Sequence, residues 1–305
     1  MTAIRLDGVT KRYGTVTAVN DLSLEVKEGE VFGFLGPNGA GKSTTINLIL
    51  DFIRPTEGTV EVLGRDAQEE SVAVRERTGV LPEGFSVYNR LTGRQHIEFA
   101  IESKETNDDP DELLDRVGLS ADDAARKAGG YSKGMAQRLA FAMALVGDPD
   151  LLILDEPSTG LDPKGAREMR EIVRREKNRG ATIFFSSHIL GQVEAVCDRV
   201  GILRDGELVA EDSIEGLRET VGGDTTLVID TTSLPSDAVE EVRKIDGVTG
   251  VNRDGNTLFV TCETNVKTTV IATLENAGAD IEDFDTEEAS LEDLFMTYTE
   301  AEVKA

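Results

Sequence analysis

Nine residues constrain this chain more than any others: Gly36 to Thr44, GPNGAGKST. They fit the pattern G-x-x-x-x-G-K-[ST]. The nearly all-apolar run EVFGFLG precedes them and the apolar-periodic stretch STTINLILDFI follows, which is the strand, loop and helix setting the pattern requires. Glycines let backbone N–H groups close around phosphate oxygens at a helix start, where the dipole end is positive. Gly36, Pro37, Asn38, Gly39, Ala40, Gly41, Lys42, Ser43 and Thr44 are therefore read as a nucleotide cradle. Lys42 is placed to reach the β and γ phosphates, and the Ser43 hydroxyl to ligate Mg²⁺.

The surrounding text predicts an α/β fold. Strand-like runs AIRLDGV, DLSLEV and GTVEVLG accompany the loop within the first 64 residues. From about 84 to 147 the spacing turns helical, in RQHIEFAIES, DELLDRVGL and KGMAQRLAFAMALVG, and reads as an insertion between strands. Strands return as DLLILDEP and ATIFFSSH around the helix PKGAREMREIVRREKNRG, a βαβ rhythm that implies a parallel sheet. RVGILRDGELVAE reads as a hairpin turning at Asp205 and Gly206. Composition shifts after RETVGGDTT: residues 220–305 hold 19 acidic and 5 basic side chains. The expected domains are therefore 1–219 and 220–305. The second reads strand TTLVID, helix SDAVEEVRKI, strands GVTGVNR and NTLFVTCE, helix VKTTVIATLENAG and strand ADIEDFDTE. That order suits a small α+β ferredoxin-like sandwich, with a further short helix LEDLFMTYT after it.

LLILDEP supplies a second half to the nucleotide site. Asp155, ending a buried strand, is placed to hold Mg²⁺ through water, and Glu156 to face a hydrolytic water. His188 ends another apolar strand and is either a γ-phosphate partner or a structural histidine. YSKGMAQRLA is unexpected, because Ser132 and Gly134 open a second helix that looks able to hold phosphate. A net charge of −26 would repel a nucleic-acid backbone, so no nucleic-acid partner is expected. The acid excess suits a solvated surface in high salt. Cys197 and Cys262 suggest neither a disulfide framework nor a metal cluster, and two histidines are too few for a histidine metal site. MTAIRLDGVTKRYG lacks a leader pattern, and no apolar run approaches the ~18 residues needed to cross a bilayer.

Taken together, residues 2 to 218 resemble the ATP-binding subunit of ABC transporters, a P-loop fold with a parallel core sheet, an antiparallel β subdomain and a helical insertion. Gly36 to Thr44 match the family's Walker A loop and LLILDE its Walker B strand, which makes Glu156 the catalytic base. STGLD matches the D-loop, through Ser158, Gly160, Leu161 and Asp162. His188 falls at the switch histidine, and Tyr13, in KRYG, at the aromatic that stacks on adenine. YSKGM occupies the signature motif. The resemblance implies that Ser132, Lys133 and Gly134 act on the ATP of a second subunit, in a homodimer or a paired ATPase dimer binding two ATP with Mg²⁺. That explains the second phosphate-binding helix. Lys133 and Met135 depart from the usual glycine and glutamine, Tyr131 from leucine, and Glu83 stands where the Q-loop glutamine is usual. A carboxylate at Glu83 can still ligate Mg²⁺ or its water. Two readings of Lys133 stay open, one facing the neighbour's γ-phosphate and the other pointing to solvent. The departures and the acidic tail look like the exporter branch. The implied protein is a cytoplasmic ATPase, peripheral on the inner face of the membrane through a separate permease. The alternative is a soluble ABC ATPase with a role outside transport. The tail's carboxylates read as a solvated face, with Ca²⁺ binding as the other reading.

Overall fold

The structure, a computed structural model, describes residues 1–220 and 224–288. The chain divides into two compact units, the first from Met1 to Ser213 and the second beginning at Ile214. This division falls earlier than the change in charge marks it, because the backbone leaves the sheet at Ser213 whereas the acidic run begins later.

The first unit holds two sheets. Strands β1 (Thr2–Tyr13) and β2 (Val16–Lys27) pair antiparallel, with Leu22, Leu24 and Val26 turned inward at alternate positions. With β4 (Glu57–Val62) and β5 (Arg65–Asp66) they form an antiparallel sheet of order β2-β1-β4-β5. The second sheet has the order β10-β9-β3-β8-β7-β6. Its members are β3 (Val31–Leu35), β6 (Thr78–Leu81), β7 (Leu151–Asp155), β8 (Thr182–Ser187), β9 (Arg199–Arg204) and β10 (Glu207–Ser213). All run parallel except β10, which returns antiparallel through a turn where Asp205 and Gly206 have φ of 50° and 86°. Every residue of β3, β7 and β8 is buried, as expected of strands covered on both faces. Phe32, Phe34 and Phe184 sit in one core with residues of both sheets and of α1 (Lys42–Ile49).

Helix α2 (Ser71–Glu76) leads into β6, and the insertion follows as α3 (Gly93–Lys104), α4 (Pro110–Arg116), α5 (Ala121–Ala125) and α6 (Lys133–Ala144). Thr92 and Gln95 form a reciprocal capping box at the start of α3. His96 is fully buried. One ring nitrogen, Nδ1, lies 2.7 Å from the Thr92 carbonyl and the other accepts from the Tyr88 N–H at 2.9 Å, which makes Nδ1 the protonated one. The insertion is tied to the sheet by Lys104, whose ammonium donates to the carbonyls of Thr78 and Val146. A second tie runs from Arg116 on α4 to Glu176 on α7 (Pro163–Asn178), the crossover between β7 and β8. Helix α8 (Leu190–Glu194) follows β8.

The second unit runs α9 (Ile214–Thr220), β11 (Asp224–Ser233), α10 (Ser236–Val242), β12 (Val248–Asp254), β13 (Thr257–Glu263), α11 (Lys267–Asn276) and β14 (Asp280–Glu288). Its antiparallel sheet has the order β12-β13-β11-β14, the ferredoxin-like arrangement read from the sequence. Leu227, Ile229, Leu258, Val260, Val270 and Leu274 close a core of its own. The predicted helix LEDLFMTYT lies outside the described residues.

Candidate functional site

Four neighbouring parallel strands, β3, β8, β7 and β6, end at one edge of the sheet, and each delivers a predicted site residue there. β3 runs into Gly36, β8 into His188, β7 ends on Asp155 with Glu156 next, and Glu83 follows β6 by two residues. The carboxyl edge of a parallel sheet is where loops and helix starts converge on a ligand. A cleft of about 320 Å³ lies there, lined by Ala18, Asn38, Gly39, Gly41, Lys42, Ser43, Thr44, Glu83, Asp155 and Glu156. The loop closes tightly. Gly41 has φ of 110°, and a β-carbon on it would lie 2.5 Å from the Ala18 carbonyl oxygen, so only glycine fits.

Lys42 is buried, and its ammonium donates to the carbonyl oxygens of Gly36 at 2.7 Å and Pro37 at 3.3 Å. Burial pulls its pKa down, while the carboxylates of Glu156, Asp155 and Glu83 pull it up. Asp155 is shifted the other way. Burial raises its carboxyl above the ordinary 3.8, and the charges of Glu83 and Glu156 add to the rise. Its Oδ1 is buried with no hydrogen-bond partner. A buried, unpartnered carboxylate oxygen, on a residue lining the same cleft as Ser43, suits a divalent cation. No three His, Cys, Asp or Glu side chains gather as a metal cage among the described residues, so a cation here would take further ligands from phosphate.

Glu156 sits in the left-handed region at φ 51°, rare for a residue with a side chain. Both carboxylate oxygens are held. His188 Nδ1 lies 2.8 Å from Oε1, and the Thr159 hydroxyl donates to Oε2 at 3.0 Å. Glu156 is 7% exposed, whereas the His188 side chain is 45% exposed and reaches in from the rim. Tyr13 is half exposed at the end of β1, with the Lys11 ammonium 5.1 Å from its ring centre, and is absent from the cleft lining.

A second cleft, about 380 Å³, lies between the starts of α6 and α7. Ser132 caps α6 by accepting from the Met135 N–H, and Asp162 caps α7 by accepting from the Gly165 N–H. Ser132, Lys133 and Gly134 line one side, and Gly160, Leu161 and Asp162 the other. Ser158, from the same turn, is buried.

Residues 19–159 match the family described as ABC transporter, and residues 213–299 match the C-terminal domain of ATP-binding proteins like DrrA1-3. The daunorubicin resistance ATP-binding protein DrrA3 of Streptomyces coeruleorubidus is 35% identical over 305 residues, which cover 98% of this chain and 96% of that one. The chain belongs to the ATP-binding proteins of ABC transporters. It is an ATPase subunit that couples hydrolysis to transport. A fluoroquinolones export ATP-binding protein of Mycobacterium tuberculosis is 44% identical over 213 residues, 69% of this chain and 70% of that one. Among solved structures, the dimeric ATP-binding cassette MJ0796 in a post-hydrolysis state with ADP and Pi aligns with a TM-score of 0.63 at 27% identity. It covers 69% of this chain and 98% of that one.

Set against the ABC pattern, the departures have local reasons. The Tyr131 hydroxyl donates to the Asp123 carbonyl at 2.6 Å, so a tyrosine in place of leucine ties the signature to α5. Met135 places its sulfur 3.7 Å from Arg126 Nη2. Sequence reasoning named the other four residues of STGLD and passed over Thr159 between them, whose hydroxyl holds the Glu156 carboxylate. It also missed Ala18, which enters the cleft from β2 and carries no chemical label in the sequence.

Proposed function

We propose that this subunit works in a pair, each cleft holding one ATP and facing the signature residues Ser132, Lys133 and Gly134 of the other copy. ATP binding joins the pair and hydrolysis releases it, which moves a separate membrane permease in the direction of export. Glu156 polarises the attacking water, His188 reports on the γ-phosphate, Lys42 and the loop from Gly36 to Thr44 hold the phosphates, and Tyr13 takes the adenine. Ser43 and Asp155 would hold Mg²⁺, with Glu83 alongside. Mg²⁺ supplies charge neutralisation on the phosphates. The observation that carries this reading is the fixed carboxylate of Glu156 in the same cleft as Lys42.

An apolar groove of about 390 Å³ suits the permease. It runs beside the loop after β6 and is lined by Phe52, Pro82, Phe85, Phe99 and Met143, with Phe52 and Phe99 more than half exposed. No helix among the described residues is long and apolar enough to cross a membrane. Attachment to the cytoplasmic face of the membrane runs through that partner, and the export named for the Mycobacterium relative supports the direction. The net charge of −26 counts against a nucleic-acid role.

The test is Glu156→Gln. It should keep ATP affinity and lower turnover by about a hundredfold or more, the share a positioned general base contributes. Turnover near that of the unaltered protein would remove Glu156 from the role.

A further inference from the structure

Lys133 has a neighbour that neither sequence reading gave it. Its side chain lies against the turn between β7 and α7, where a β-carbon placed on Gly160 would collide with Lys133 Nζ and stand 3.1 Å from its Cε. Gly160 has φ of 69°, so its left-handed backbone favours glycine, and the lysine lies in the space that the missing β-carbon leaves. Arg138 and Lys164, in the same cleft, both pair with Glu168. Lys133 is exposed, and it has no ion pair with a described residue.

The other end of this turn holds the proposed base. Thr159, adjacent to Gly160, donates through its hydroxyl to Glu156 Oε2, and its own N–H donates to the Glu156 carbonyl at 3.1 Å. Two residues, Thr159 and Gly160, thus separate a free cation on the signature helix from the carboxylate that faces ATP in the same subunit.

We propose that Lys133 is a positioning residue for hydrolysis in its own subunit, bracing the turn from Ser158 to Asp162 so that Thr159 holds Glu156. This rests on the two-site pair described above, in which α6 meets the neighbour's phosphates. An unpaired ammonium is drawn to phosphate oxygens arriving at the start of α6. Anchored there, it keeps the turn in place, and the grip of Thr159 on Glu156 with it. Nucleotide at one site is felt at the base of the other through this contact.

Mixed dimers of the full chain separate this from a direct effect of Lys133 on the neighbour's ATP. Two affinity tags isolate pairs in which only one protomer keeps Glu156 and the other carries Glu156→Gln. In one arrangement Lys133→Ala is placed in the protomer that keeps Glu156, and in the other arrangement in its partner. The first should turn over ATP at least about fivefold more slowly than the second, with KM for ATP changed less than about twofold, because base alignment and not phosphate binding is lost. Equal rates, or the reverse order, would overturn the proposal while the pair itself stands. Failure of the full chain to form a pair when ATP is added would instead overturn the two-site reading, and the proposal with it. Melting temperature serves as the folding control, since an exposed lysine without an ion pair lends the fold little.

Discussion

The charge of Glu83 acts on Asp155, and that fixes a pH dependence. Burial first, then the charges of Glu83 and Glu156, raise the Asp155 carboxyl above 3.8. A proton on Asp155 competes with a cation, so affinity for the Mg²⁺-nucleotide should fall on acidification while the pH is still above the ordinary carboxylate range. Glu83→Gln removes one of the charges that oppose ionisation of Asp155. The acid limb should then move to lower pH, as read by titrating a fluorescent ADP with and without Mg²⁺. A limb that stays in place would mean that Glu83 does not act on Asp155. The sequence makes Glu83, Asp155 and Glu156 visible as separate oddities, because each follows a strand. Their mutual approach is set by the order β3-β8-β7-β6, which brings chain segments some seventy residues apart side by side. The pairing of Lys133 with Gly160 was hidden for the same reason.

At the scale of elements, the helical insertion is held by a few buried polar ties. Glu176 on α7 is 4% exposed in its side chain and Arg116 on α4 is 13% exposed. Breaking such a pair leaves a buried cation short of a partner, so Glu176→Gln should cost about 3 kcal/mol. A denaturant titration of the full chain would show it, and a loss within ±0.5 kcal/mol would make Asp148, which also pairs with Arg116, the sufficient partner. Long amphipathic elements such as α3 and α7 were legible because apolar spacing repeats over several turns. The four-residue strand β6 and the six-residue helix α2 were not. Neither is long enough to show a period, and β6 is a strand because β7 offers it a parallel ladder from Thr78 to Leu81. The hairpin at Asp205 and Gly206 needed no tertiary context, since both residues tolerate positive φ.

The whole molecule joins an ATPase unit to an acidic unit with its own core, and composition alone marked the join only to within a few residues. Ferredoxin-like order in the second unit was legible because strand and helix lengths alternate cleanly, whereas the side-chain chemistry there suggested no catalytic site. What the fold as a whole gives up for its chemistry is concentrated at Asp155. Its raised pKa means that the folded chain is destabilised by ionised Asp155 once the pH exceeds the ordinary carboxyl value, and regains that stability only on protonation. Asp155→Asn, which removes the charge and keeps the shape, should therefore raise the melting temperature of the nucleotide-free protein at neutral pH. The gain comes from removing a desolvated charge that Glu83 and Glu156 repel, and ATP turnover should be lost at the same time. A melting temperature that falls instead would mean that the buried charge is not a burden. Selection for heat resistance in the laboratory would on this view strike the Asp155 position early, and every survivor carrying that change would be a sturdier protein with no engine.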